Sequence, residues 1–143
     1  MISSVAQAII NKYEETPAGD ALRAALTGEL WFTEADWDDG KEVYPYAVFT
    51  WEGSTVDEIA GNRSNAVEIA NMTFSIFSKN DDGGTEIFDL VSKFIELYDW
   101  ATLTYPAGDY THNEIQRTST SNRGKIDNIW QIDLDYDVWF NHV

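Results

Sequence analysis

The residues of this chain with the clearest potential for chemistry are three aspartates near its end, Asp133, Asp135 and Asp137. Alternate residues of a β-strand point to the same face, so the three carboxylates are expected in one row, about 6.6 Å apart along the strand. Such a row can act as general acid and base or bind a metal ion, and it is also typical of a solvated acidic surface. No basic residue lies between the aspartates, which favours the solvated surface.

Other residues that commonly carry chemistry lack the spacing that a known site requires. His112 and His142 belong to no HExxH or nucleophile-elbow motif, and the chain has no Walker loop and no GxGxxG. The Asp-rich turns at 36–40 and 81–84 lack the ligand spacing and the terminal glutamate of an EF-hand loop. We therefore predict no catalytic, cofactor-binding or metal-binding residues and no enzymatic activity.

The aspartates lie on a segment, Gly124 to His142, in which apolar and polar residues alternate with a period of two. The apolar positions of its centre are Trp130, Ile132, Leu134, Tyr136, Val138 and Phe140. This pattern predicts a long strand with one apolar and one acidic face. A strand of this length needs partners of similar length.

The rest of the chain supplies such partners and the helices that cover them. The pattern predicts helices over 2–14, 21–26 and 85–100, and strands over 29–33, 43–51, 66–78, 101–105 and 110–118. The apolar stripe of the helix at 85–100 is predicted to comprise Ile87, Phe88, Val91, Phe94, Ile95 and Tyr98. The fold class is therefore α+β, an antiparallel or mixed sheet of long strands with helices packed on one face.

Two connections are predicted from their composition. Residues 53–65 contain two glycines and little apolar periodicity, which indicates a long mobile loop. Residues 121–124, Ser-Asn-Arg-Gly, indicate the turn of a hairpin leading into the last strand.

Composition limits the class of protein. The 143 residues are predicted to form a single domain, 1–143, and the absence of cysteine excludes disulfides and thiolate metal sites. With 25 acidic against 9 basic residues the net charge is −16, which opposes binding to nucleic-acid phosphates through a basic patch. No apolar run is long enough to span a membrane and the first residues do not resemble a signal peptide, so we expect no membrane partner.

Several large apolar residues fall near polar segments and off the main apolar stripes. We predict that Trp51, Val56, Ile59 and Trp139 contact another subunit. Exposed aromatic rings also serve as platforms for sugars, and burial in the core of the same domain is the other interpretation of these positions.

The succession of elements resembles the tail terminator, or tail completion, proteins of long-tailed bacteriophages. The resemblance runs from about residue 2 to residue 142 and rests on the Tyr44-Pro45-Tyr46 strand entry, the long strand ending at Ser78, the helix from Thr85 and the segment Leu103 to Gly108. It implies a hexameric ring that caps the tail tube, joins it to the head completion protein and lets DNA pass without specific binding. It therefore implies a location in the virion, after assembly in the host cytoplasm. The acidic closing hairpin departs from the family's general character.

Three function classes remain open on sequence grounds. A ring component of the virion is favoured, either the terminator itself or another connector or minor tail component. A monomeric acidic protein that mimics DNA would use the same carboxylates against a basic groove. A small enzyme would use the row of aspartates, and a metal titration would identify it.

Overall fold

The computed structural model describes residues 2–38, 40–58, 66–106 and 110–142. Their elements are α1 (Ile2–Glu14), α2 (Asp20–Ala25), β1 (Leu30–Phe32), β2 (Tyr46–Glu58), β3 (Ala66–Ser78), α3 (Thr85–Tyr98), β4 (Tyr110–Ile126) and β5 (Ile129–His142). The strands form one five-stranded sheet in the order β1-β2-β3-β5-β4. β1 is parallel to β2 and the remaining neighbours are antiparallel, so the sheet is mixed and the predicted α+β class is confirmed.

One face of the sheet packs against the helices. Alternate residues of β3 and β5 enter a single core, in which the Phe74 ring lies 4.9 Å from the Tyr98 ring of α3 and 5.5 Å from Tyr136 of β5. The Tyr98 hydroxyl donates a buried hydrogen bond of 2.9 Å to the Ile9 carbonyl, which joins α3 to α1. We call this side of the sheet the covered face.

The opposite side, the open face, carries the alternate side chains of the same strands. Its central rows consist of polar residues that are half-buried or exposed, apart from Asp133: Thr50, Asn71, Thr73, Ser75, Gln116, Ser119, Asp133, Asp135 and Asp137. The strict alternation along β3 and β5 produces both faces from one pattern.

Two predicted connections are wrong where the structure describes them. Residues 53–58, predicted as part of a mobile loop, continue β2 and pair with 66–71 of β3 after a β-bulge between Trp51 and Gly53. Gly53 adopts φ 144°, which a glycine accepts, so the residue that indicated a loop shifts the register instead. The remainder of the predicted loop, residues 59–65, lies outside the described residues.

The hairpin turn between β4 and β5 also differs from the prediction. It is formed by Asp127 and Asn128, whose φ angles of 52° and 66° suit a two-residue turn of the type that aspartate and asparagine tolerate. The predicted turn at 121–124 is part of β4, where Gly124 lies in a register shift. The predicted strand at 101–105 is not a strand; immediately before it, the Trp100 N–H donates to the Ile115 carbonyl of β4.

The predicted apolar stripe of α3 is correct in part. Ile87, Phe94 and Tyr98 are buried as expected, but Phe88 is exposed. Leu90 and Leu97 take the remaining buried positions. Compared with the predicted stripe, the buried face of α3 is therefore turned toward Leu90 and Leu97. Contact with β3 and β5 sets this face, and the helix sequence alone does not.

Candidate functional site

The row of aspartates lies on the open face, as the alternation of β5 predicts. β3 and β4 flank it on both sides: Asp133 pairs with Ser75 and Ser121, Asp135 with Thr73 and Ser119. The chain thus places these two carboxylates between hydroxyl-bearing neighbours from two other strands, whereas Asp137 lies between the amides of Asn71 and Gln116. A period-two polar pattern on three adjacent strands generates this arrangement.

Asp135 is held by two neighbouring strands at once. Its Oδ1 accepts a hydrogen bond of 2.7 Å from the Thr73 hydroxyl, and its Oδ2 accepts one of 2.6 Å from the Ser119 hydroxyl. Asp137 accepts a hydrogen bond from the Asn71 amide. These donors are uncharged, so they fix the directions of both carboxylates without placing a positive charge beside them.

Asp133 differs from the expectation of a solvated carboxylate, because only 7% of its surface is exposed. The Arg123 Nε donates to its Oδ2 at 2.8 Å and the Gln131 amide donates to its Oδ1 at 3.0 Å. Burial alone would raise the pKa of Asp133, but hydrogen bonds from Gln131, Arg123 and Ser75 and the charge of Arg123 lower it. The basic partner comes from the next strand, which the sequence of β5 does not reveal.

One end of the open face is aromatic. The Tyr46 ring stacks on Phe77 with centroids 4.9 Å apart and contacts Trp37, which in turn packs edge-on against Trp31 at 5.2 Å. The Lys79 ammonium lies 5.6 Å from the centroid of the Tyr44 ring. Beside these rings is a cavity of about 270 Å³ between the start of β2 and the β4–β5 turn. No local sequence pattern indicates this cluster, because its residues come from three separate segments.

The predicted subunit-contact residues are partly exposed. Trp51 is 45% exposed and its indole N–H donates to the Ser54 hydroxyl at 3.0 Å, while Val56 is 57% exposed. Trp139 is half-buried on the open face, opposite Glu114 of β4. Ile59 lies outside the described residues. The two exposed residues lie on the same strand, β2, on either side of its bulge.

His112 belongs to no cluster of ligands among the described residues. The His112 Nε2 lies 3.1 Å from the Ala101 carbonyl, and burial lowers the pKa of His112 although that hydrogen bond and Glu114 act in the opposite direction. Within the described residues, no group of three His, Cys, Asp or Glu side chains is placed to hold a metal ion. No helix among those residues has the length and apolar composition needed to cross a membrane.

Comparison with solved structures identifies the fold. The chain aligns with a protein chain in the structure described as the virion of a native gene transfer agent (GTA) particle, with a TM-score of 0.66 and 14% identity, over 91% of each chain. A second solved chain aligns over 92% of this chain and 94% of its own, with a TM-score of 0.49 and 16% identity. No protein-family model and no curated protein matches the sequence. The comparison therefore shows that this fold also occurs in a chain of a virion-like particle.

Proposed function

We propose that this protein is a structural component of a phage-like virion and, within the virion, the tail terminator. The observation that carries the proposal is the alignment with a GTA virion chain over nearly the whole length of both chains. The resemblance in the order of elements supports the finer assignment. In this role copies of the chain form a ring, which we take to be a hexamer, at the head-proximal end of the tail.

The open face gives a physical reason for this role. DNA carries about one negative charge per 1.7 Å of helix axis, so a passage that binds phosphates would retain it. Asp135 and Asp137 are fixed by neutral donors, and Asp133 is the only one of the three with a basic partner among the described residues. A ring with this face toward its passage repels the DNA backbone and lets the DNA slide.

The proposed partners follow from the same position. The chain contacts its own copies in the ring, the tail tube protein on one side and the head completion protein on the other. DNA passes through without a specific contact, and the protein turns over no substrate. A different connector of the neck or a minor tail component would share the ring and the acidic passage but not the contact with the tube end.

The test combines electron microscopy with mass measurement. The purified chain is mixed with tail tubes that lack it, and negative-stain images are compared with the mass of the free protein. We expect rings and a discrete cap at one end of the tube. A chain that stays monomeric and leaves both tube ends bare would contradict the proposal, and binding of that monomer to a basic nuclease would favour the acidic DNA mimic.

A further inference from the structure

The two outer edges of the sheet are free over segments of matching length. β1 pairs with β2 only at 47–49, so no strand among the described residues covers 50–58. β4 is the last strand on the other side, and the chain after α3 bonds to it at Ile115. No strand among the described residues therefore covers 118–126. Each free segment is about 30 Å long at roughly 3.3 Å per residue. Unpaired edges of this length are templates for pairing with another chain.

The free segments carry opposite charge. Residues 50–58 contain Glu52, Asp57 and Glu58 and no basic residue, whereas residues 118–126 contain Arg123 and Lys125 and no acidic residue. In a chain of net charge −16, a basic segment of this kind is unusual. Pairing two copies through the same edge would bring like charges together, while pairing β2 of one copy with β4 of the next brings opposite charges together.

The strand directions are also compatible. β2 is antiparallel to β3, β3 to β5 and β5 to β4, so β4 runs opposite to β2 within one copy. In copies related by rotation about an axis along the strands, β4 of one copy is therefore antiparallel to β2 of its neighbour. The free segments lie toward opposite ends of the strands, so pairing them requires neighbouring copies to be shifted along the strand direction. Such a shift is normal in a sheet that closes on itself, because its strands are tilted and staggered.

Exposed apolar side chains lie on both segments. Trp51 and Val56 on β2 are 45% and 57% exposed, and Ile126 on β4 is 69% exposed. The backbone groups of Ala47 and Phe49 form hydrogen bonds on the β1 side of β2. Every second residue of a strand directs its backbone groups to the same side, so the N–H and C=O of Trp51 point to the side where β1 has ended. Joining the edges would satisfy these groups and bury the exposed side chains.

We propose that a second copy of this chain occupies each free edge: residues 50–58 of β2 pair antiparallel with residues 118–126 of β4 in the next copy. The contact is head-to-tail, and it closes into a ring when the rotation between neighbouring copies divides a full turn. The open faces of all copies then form one continuous surface. This inference rests on the proposed ring, and it names the strands that build it.

The absence of cysteine allows a direct test by disulfide cross-linking. Thr55 and Ser121 both project from the open face, because they lie opposite Ile69 and Asp133. Within one copy β3 and β5 separate their strands, about 14 Å at the usual strand spacing, too far for a disulfide. A double variant, Thr55→Cys with Ser121→Cys, is oxidised after assembly on tail tubes. A second double variant, Thr55→Cys with Ser119→Cys, serves as a control for the register.

We expect a ladder of cross-linked oligomers that ends at the closed ring. The variant Thr55→Cys with Ser92→Cys is the matched control, because Ser92 is exposed on α3, and it should give no ladder. Rings that form normally but cross-link no better than this control would overturn the edge pairing and leave the proposed ring intact. Failure of the parent chain to form rings at all would overturn both.

Charge reversal gives a second readout. Glu52 accepts a hydrogen bond from Thr50 and Arg123 donates to Asp133, so both side chains lie on the open face. Glu52→Lys should therefore weaken assembly by up to about fivefold per interface, because it puts like charges opposite each other. The loss should shrink as salt screens the charges. If Glu52→Lys assembles as well as the parent chain at low salt, the two edges do not meet.

Discussion

The covered face and the open face of the sheet use the same strands but hold their side chains by different interactions. On the covered face Phe49, Phe74 and Tyr136 are packed among the helices with almost no exposure. In the central rows of the open face the side chains are polar, and hydrogen bonds between strands fix them in place. One face therefore supplies the free energy of folding, while the other presents a defined acidic surface at little cost to stability.

The largest effect is expected from a charge on the covered face. Phe49→Asp places a carboxylate without a partner among Phe32 and Phe74 and should destabilise the domain by several kcal/mol. Thr50→Asp is the matched control, since the next residue lies on the open face, and it should cost only about 1 kcal/mol. Denaturant unfolding measures both. Equal losses for the two variants would contradict the division into faces.

A smaller effect is expected where a hydrogen bond joins two helices behind the covered face. Tyr98→Phe removes the donor to the Ile9 carbonyl, which keeps its own bond within α1, so the expected cost is that of one buried hydrogen bond, about 1 kcal/mol. Tyr44→Phe, a hydroxyl removed from the open face, is the control and should change the free energy of unfolding by less than about 0.5 kcal/mol. If Tyr98→Phe leaves the free energy of unfolding unchanged, the hydrogen bond between α3 and α1 does not stabilise the domain.

On the open face, Asp133→Asn should cost about 1 kcal/mol at pH 7, because Arg123, its ion-pair partner, is largely solvated. The pKa of Asp133 is lower in the folded than in the unfolded chain, so its contribution is present above the unfolded pKa of about 4 and is lost as pH falls through the folded value. The difference in the free energy of unfolding between the parent and Asp133→Asn should therefore vanish in acid. A difference in the free energy of unfolding between parent and variant that widens below pH 4 would contradict the assignment.

The smallest effect on stability, but the largest on passage of DNA, is expected from Asp135→Lys combined with Asp137→Lys. Both side chains are only half-buried, so the domain should fold and assemble. The added positive charge attracts phosphates, and DNA ejection from the finished particles should be slowed, less so as salt rises. Particles that eject DNA as the parent does would show that this row does not line the passage.

The faces of the sheet could be predicted from sequence, but its edges and polar contacts could not. The alternation in β3 predicted the bounds 66–78 and the direction of Asp133, Asp135 and Asp137 away from the core. Gly53 and Gly124 were mistaken for loop and turn residues, because a glycine in a β-bulge has the same sequence signature as one in a turn. The pairing of Asp133 with Arg123 depends on register between strands, which no local pattern contains.

The central claim is that copies of this chain form a ring with the open face toward its passage. A cryo-electron microscopy reconstruction of the tail end that contains the protein tests it most directly. We predict a ring in which Asp135 and Asp137 face the central passage and α1 and α3 lie on the outside. A ring with the helices lining the passage, or a tail end without this chain, would contradict the account.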